Sequence, residues 1–456
     1  MTADYASAAT DPNGAVRFVP RPGPAAQARR GTVGGIRANP GLRTASRYQR
    51  IEQVLDARAV FPLFQPLVRS DDRAVVGYEA LIRGPVGTPW ESPLGLFSAA
   101  AEVGRQAELD WACRARIGRA AITAGLDSTT ALFVNADARA VATPCPEDLR
   151  PAIVEATRLL HIIIELPERA VATNPATLLA AAAAYREAGC GIALDDVGTN
   201  PASLALLPLL DPDVIKFDQG VVRQPESAAT ARTVNGVLAH AEQSRAVVAA
   251  EGVETAEHLA TARSLGASVV QGRLTGRPGP LPDRGSRSLP PDGLRRPIKP
   301  LPVGTPYELL SVRQPIRAAG LETLLALSHQ LEEAALAAAE PPVVLGSFPP
   351  ARCQAEDIRT RLARLASSAA LVLAVGDGVN GIASVGVHGG SLGSWDPLRT
   401  EWNVIVLGPH FAGALVARDL GDSPGRGGES RFGYVLTYQR SLVLHAARAM
   451  LRCLTP

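Results

Sequence analysis

The chain has 456 residues, 46% of them hydrophobic, which is enough for two domains with sizeable cores. Aromatic residues make up only 4%, so those cores are built from Ala, Leu and Val, and a formal net charge of +2 argues against a dedicated nucleic-acid binder. The five cysteines are scattered and show no C-x-x-C spacing, which argues against a zinc knuckle or a disulfide framework and fits a reducing cytoplasm. The opening residues lack the apolar core of a signal peptide. No apolar run approaches the ~18–20 residues that cross a bilayer, so a soluble cytoplasmic protein without a transmembrane segment is expected.

Residues 1 to about 45 are rich in Gly, Pro, Ala and Arg and show no periodicity, which reads as a disordered basic tail. From about 46 to 281, short apolar runs alternate with helix-like stretches. The runs are Leu132–Val134, Ile162–Ile164, Gly191–Leu194, Val214–Ile215, Ala246–Val248 and Ser268–Val270. Helices are predicted over Leu109–Ala124, Ala176–Ala188, Ala229–Ser244 and Glu257–Gly266. Repeated βα units with continuous apolar strands predict a parallel sheet covered by helices, and their number suits a (β/α)8 barrel better than an open sheet. Residues 282–302 are dense in Pro, Gly and Arg and read as a linker. Residues 303–456 predict a second α/β domain, with helices over Leu321–Ala339, Ala355–Ser368 and Arg440–Cys453 and strands over Pro342–Phe348, Ala370–Val375, Ile382–Val387 and Trp402–Leu407. Its Gly376-Asp377-Gly378-Val379-Asn380-Gly381 matches a dinucleotide motif, but a strand and not a helix follows, so a hairpin loop is expected.

Polar groups recur where the strands of the first domain end: Glu79, Asn135, Glu165, Asp195 with Asp196, Lys216, Glu251 and Gln271. One acid after a strand is commonly a helix cap. A set of them on a barrel converges on one mouth, where carboxylates repel and stay ionised together only beside cations. All-oxygen ligands favour hard ions, Mg²⁺ or Mn²⁺, with Ca²⁺ a poorer fit. Adjacent Asp195 and Asp196 suit a two-metal site, the usual machinery for phosphodiester cleavage. An Mg²⁺ barrel of the enolase type would use similar groups, and at this level both readings stand.

The motifs favour the first. Glu79-Ala80-Leu81 within GYEALIR, Gln65-Pro66, Asn135, Glu165-x-x-Glu168, Asp195-Asp196-x-Gly198, Lys216-x-Asp218, Ala250-Glu251-Gly252-Val253-Glu254 and Gln271-Gly272 resemble the EAL family of cyclic di-GMP phosphodiesterases. The resemblance implies a modified (β/α)8, TIM-like barrel that hydrolyses cyclic di-GMP to linear pGpG, as a homodimer through this domain. It implies Glu79, Asn135, Glu165 and Asp195 as ligands of one metal and Asp195 with Asp196 at a second. Lys216 would orient the water, and Glu251 would be a ligand or general base. Gln65, Arg83, Asp218 and Gln271 would line the substrate site, and Glu168 and Glu254 would anchor loops. The chain departs from the family at Asn200-Pro201-Ala202, where a Gly, an aromatic residue and a Ser are usual; Asn200 is a residue that tolerates positive φ. A catalytically weak cyclic di-GMP receptor is therefore the alternative. Asp396-Pro397-Leu398, Glu401-Trp402, Val404–Asp419 and Leu436–Arg440 resemble the DICT sensory domain, which implies regulation by an unknown ligand or protein partner. Trp395, Trp402 and His410 are expected in its core, with a ligand pocket as the alternative.

Overall fold

Eight strands close into a barrel: Phe61–Arg69 (β3), Val75–Arg83 (β4), Ala131–Asn135 (β5), His161–Pro167 (β6), Gly191–Val197 (β7), Val214–Phe217 (β8), Val247–Ala250 (β9) and Val269–Val270 (β10), in the order β10-β3-β4-β5-β6-β7-β8-β9. This computed structural model describes residues 9–10, 16–17, 49–170, 175–200, 202–282, 294, 303–348, 355–376, 386–390, 392–422 and 430–452. Most of the tail and linker, Pro201, the hairpin reading of 377–381 and the strand over 382–385 lie outside those residues. Within residues 1–43, Ala9–Thr10 (β1) and Val16–Arg17 (β2) pair antiparallel. Residues 44–456 form a second compact unit.

The barrel corrects the all-parallel expectation. β3 runs antiparallel to both of its neighbours, β4 and β10, while the remaining pairs are parallel. Its connection to β4 is a tight turn in which Arg73 has φ 61° and the Asp72 carboxylate accepts from Ala74 N at 2.9 Å. A turn that short allows only antiparallel pairing, since a parallel crossover takes a dozen or more residues. Pro62 and Pro66 disguise β3 in the sequence.

The helices over the barrel are Ile51–Asp56 (α1), Pro93–Glu102 (α2), Gln106–Thr123 (α3), Arg150–Leu159 (α4), Pro175–Glu187 (α5), Ser203–Leu210 (α6), Gln219–Arg223 (α7), Ala228–Ser244 (α8) and Ala256–Ser264 (α9). α3, α5, α8 and α9 fall where apolar periodicity predicts them. α2 and α4 escape it because each has proline in its first turn, where a missing N–H costs nothing. Inside the barrel, Leu67, Val76, Phe133, Ile163, Val214 and Val269 pack in one cluster, and Leu294 joins them at 1% exposure. At that residue the predicted linker is part of the barrel core.

The C-terminal domain contains Pro306–Ser311 (α10), Arg317–Gly320 (β11), Leu321–Leu336 (α11), Val343–Phe348 (β12), Ala355–Ala366 (α12), Leu371–Gly376 (β13), His388–Gly390 (β14), Glu401–Leu407 (β15), Ala412–Asp422 (β16), Ser430–Thr437 (β17) and Arg440–Arg452 (α13). Its mixed sheet has the order β11-β17-β16-β15-β12-β13-β14. Strand alternation buries both faces. Val343, Leu345, Ile405 and Leu407 share a core with Leu310 of α10 and Val443 of α13. Val344, Trp402, Val404 and Val406 share another with Leu331 of α11 and Leu362 of α12. Trp402 is fully buried and its Nε1 donates to Ser328 Oγ at 3.0 Å. Trp395 is 97% exposed and His410 is also exposed, so neither joins a core. No helix among the described residues is long and apolar enough to cross a membrane.

Candidate functional site

Each barrel strand delivers one polar group to a single cluster. β3 carries Gln65, β4 Glu79, β5 Asn135, β6 Glu165, β7 Asp195 and β8 Lys216, while Glu251 and Gln271 directly follow β9 and β10. Lys216 is the centre. Its side chain is wholly buried, and Nζ lies 2.5 Å from Glu165 Oε1, 3.0 Å from Asp195 Oδ1 and 3.2 Å from Glu79 Oε2, and also pairs with Glu251. Asn135 Nδ2 donates to Glu79 Oε1 and Glu165 Oε2, both at 3.0 Å. Gln271 Nε2 donates to Glu79 Oε2 at 2.7 Å and to Gln65 Oε1 at 3.2 Å. Gln65 Nε2 in turn donates to Gly276 O at 2.9 Å. Glu79 reaches this cluster from the middle of a nine-residue strand, which corrects its predicted place at a strand end.

The acid pair is presented by a backbone irregularity. Neighbours on a strand face opposite sides, yet Asp195, Asp196 and Glu251 each bring a carboxylate oxygen to within 4.8 Å of the others. The pairing of β7 with β8 shifts register between Leu194 and Val197, and Asp196 has φ 59°, in the left-handed region that non-glycine residues rarely adopt. Together these turn two adjacent carboxylates toward one mouth.

Glu168 holds the loop that follows. This fully buried carboxylate accepts from Gly198 N at 3.1 Å, Thr199 N at 2.7 Å, Asn200 N at 2.8 Å and Ser203 Oγ at 2.5 Å, and also from Thr199 Oγ1. Thr199 and Ser203 were not singled out in the sequence, although hydroxyl residues beside Gly198 are the available signal. The positive φ in this loop belongs to Asp196 and Gly198, not to Asn200, whose Oδ1 instead accepts from Ala202 N at 3.0 Å. Asp218 caps α7, with Oδ1 accepting from Gly220 N at 2.7 Å. Like Asp218, the predicted residues Arg83 and Glu254 stand outside the bonded cluster. Arg83 Nη1 donates to Ile82 O at 2.8 Å. Glu254 pairs with Arg273 at 2.6 Å and with Arg223 at 3.7 Å, tying the segment after β9 to the one after β10 and to α7.

Burial, and then charge crowding, shift the titrations. Burial raises the Glu165 carboxyl well above its ordinary range, and the Glu79 and Asp195 charges add to that while Lys216 opposes it. Burial pushes Glu251 up to about 8. Burial, then Asp195 and Asp218, raise Asp196. Burial alone would lower Lys216, but Asp195, Glu165, Glu251 and Glu79 together outweigh it and raise its pKa well above the usual lysine value. The ammonium is therefore a fixed positive charge at neutral pH. The donor set fits a hard divalent cation: the convergent Asp195, Asp196 and Glu251 oxygens can share one, and with the Asn135 nitrogen committed to two carboxylates its carbonyl oxygen remains as a ligand.

Comparison with known proteins matches two family models along the chain. The model of the DICT domain, the sensory domain in diguanylate cyclases and two-component systems, matches residues 309–420. An uncharacterized protein of Azorhizobium caulinodans is 29% identical over 249 residues, covering 50% of this chain and 33% of its own. The cyclic di-GMP phosphodiesterase PdeF of Escherichia coli K12 is 34% identical over 124 residues, covering 27% of this chain and 17% of its own. This chain thus spans a third or less of the length of those relatives. Among solved structures, Klebsiella pneumoniae BlrP1 in its calcium and cyclic di-GMP complex is 28% identical with a TM-score of 0.42, covering 48% of this chain and 57% of that one. The EAL domain model matches residues 48–278, about half of the chain, and the chain belongs to the EAL domain family.

Proposed function

We propose that the barrel hydrolyses cyclic di-GMP to linear pGpG and that the DICT domain regulates it. The observation that carries this reading is the bonded cluster around Lys216, in which four carboxylates meet its ammonium, with the Asp195-Asp196 pair turned to the same mouth. Glu79, Asn135, Glu165 and Asp195 would hold one cation, and Asp195, Asp196 and Glu251 a second, with Mg²⁺ or Mn²⁺ the ions that suit oxygen donors. Such ions, when bound, supply Lewis-acid activation of water and neutralise charge on the phosphodiester. Lys216, held by four carboxylates, orients the water against the scissile phosphorus. Glu251, which pairs with Lys216 at the same mouth, would serve as a ligand or as the general base. The water oxygen bonds to phosphorus, the bond to the 3′ oxygen breaks, and that oxygen takes up a proton. Gln65, Arg83, Asp218 and Gln271 would contact the dinucleotide.

The departure at Asn200-Pro201-Ala202 favours a second reading, a receptor that binds cyclic di-GMP without turning it over. One experiment separates the two. The full chain is incubated with cyclic di-GMP and Mn²⁺, and product is followed by chromatography beside a Glu79→Ala control. Linear pGpG that is lost in the control and on chelation supports hydrolysis. Binding with no product above the control contradicts hydrolysis and leaves the receptor.

A further inference from the structure

The loop of the acid pair leads directly into α6, and α6 is unusual. It has only eight residues, all buried, and it contains Pro208. Pro208 offers no N–H to the carbonyl one turn back, and a helix this short does not hold itself. At its end Arg186 of α5 donates to Asp211 O at 2.5 Å, but the Pro208 carbonyl has no backbone donor. The residue four after Pro208 is Pro212, which has no N–H for the Pro208 carbonyl, and Asp211 in the left-handed conformation spends its own N–H on Leu207 O at 2.8 Å. The C-terminal domain supplies the missing donor. Arg448 on α13 donates through Nη2 to Pro208 O at 2.8 Å and pairs with the Asp211 carboxylate at 3.2 Å. Both side chains of that ion pair are largely shielded, at 16% and 15% exposure. α13 packs on α6 around these bonds.

The other end of α6 is bonded to the site. Ser203, its first residue, donates to Glu168 Oε1 at 2.5 Å and to Asn200 O at 2.8 Å. Glu168 in turn holds the amides of Gly198, Thr199 and Asn200, next to Asp196. One helix of about 12 Å, at 1.5 Å per residue, separates the two bonded ends. Gly236 of α8 lets that helix pack closely on α6, since a β-carbon there would stand 3.1 Å from Leu204.

We propose that Arg448 is a positioning residue for the acid pair: by fixing the end of α6 it fixes the loop that presents Asp195 and Asp196, and α13 is the element through which the C-terminal domain acts on the site. The activity arm of the test rests on the hydrolytic reading; the exchange arm does not.

The test uses the full chain with Arg448→Met, which keeps the aliphatic stem, and Arg448→Lys. Amide hydrogen exchange is followed without metal. Peptides covering 197–203 are expected to exchange about tenfold faster in Arg448→Met and by a smaller factor in Arg448→Lys, because local opening is governed by the few bonds that hold a segment. Peptides covering β9 stay at the wild-type rate. Calorimetry is expected to show Mn²⁺ binding weakened about 5-fold or more, the low end for coupling between distinct sites. Turnover, where wild type shows it, returns to within about twofold of wild type at saturating Mn²⁺, since coupling of this kind acts on the population of the competent loop. Should Arg448→Met fail to fold, Asp211→Asn carries the same criteria. Exchange over 197–203 equal to wild type in the folded variants overturns the proposal, whether or not the wild type turns over; faster exchange with unchanged Mn²⁺ affinity overturns the link to the acid pair.

Discussion

Replacing Lys216 with Met tests the electrostatics of the cluster. The substitution removes a fully buried ammonium from contact with Glu79, Glu165, Asp195 and Glu251 while keeping an apolar stem of similar length. Taking away one partner of a buried pair costs about 3–5 kcal/mol, because the charge left behind is unpaired. At about 2–4 °C per kcal/mol for a domain of this size, the melting temperature should fall by about 6–20 °C near pH 8. The sign with pH follows from the direction of the shifts. Burial raises Glu165 and pushes Glu251 up to about 8, against about 4.3 for an unfolded glutamate. A carboxyl raised on folding is no burden below its unfolded value and costs stability as pH climbs toward its folded value. Without the ammonium those folded values rise further, so the deficit should be small at pH 5 and grow toward pH 8. Added Mn²⁺ at pH 8 should narrow it by replacing the lost charge. The assay is thermal unfolding of the full chain at pH 5 and 8, with and without Mn²⁺. Equal melting temperatures at pH 8, or a larger deficit at pH 5, would refute the reasoning.

Glu168→Gln turns one of two buried acceptor oxygens into a donor that faces other donors. Each buried donor left unpaired costs about 1–3 kcal/mol, so amides 198–200 should exchange faster and the melting temperature should fall by about 2–12 °C; unchanged exchange would show that Glu168 does not order the loop. Leu294→Ala should cost about 2–5 kcal/mol, as for other buried leucines, read as a lower denaturant midpoint. A wild-type midpoint would mean that this residue does not seal the barrel interior.

The motif residues were legible because each polar group interrupts an apolar run, and Asn135, Glu165, Asp195, Lys216, Glu251 and Gln271 do meet in one cluster. Periodicity cannot report where in a long strand a residue lies, so Glu79 was expected at an end it does not occupy. The left-handed Asp196 and the bulge beside it were invisible for a related reason: nothing in two adjacent aspartates says that their backbone departs from alternation. β3 was lost to its prolines. Leu294 was hidden in a Pro- and Arg-rich stretch whose composition describes its neighbours better than itself. In the C-terminal domain size alone was a sound guide for Trp402 and a poor one for Trp395. Trp402 is buried because its N–H finds Ser328 and its ring meets Phe348 and Phe432 edge-on, whereas the chemically identical Trp395 stands in solvent. Arg448 gave no signal, since its meaning depends on two prolines far away in the chain.

The central claim is that water is added across one phosphodiester bond of cyclic di-GMP at the mouth built around Lys216. The most direct measurement is turnover by the full chain with Mn²⁺ in ¹⁸O-labelled water, with the product analysed by mass spectrometry beside an Asp195→Asn control. One labelled oxygen in the 5′-phosphate of linear pGpG, absent from the control, is the predicted result. Unaltered cyclic dinucleotide, or labelled product formed equally by Asp195→Asn, would contradict it.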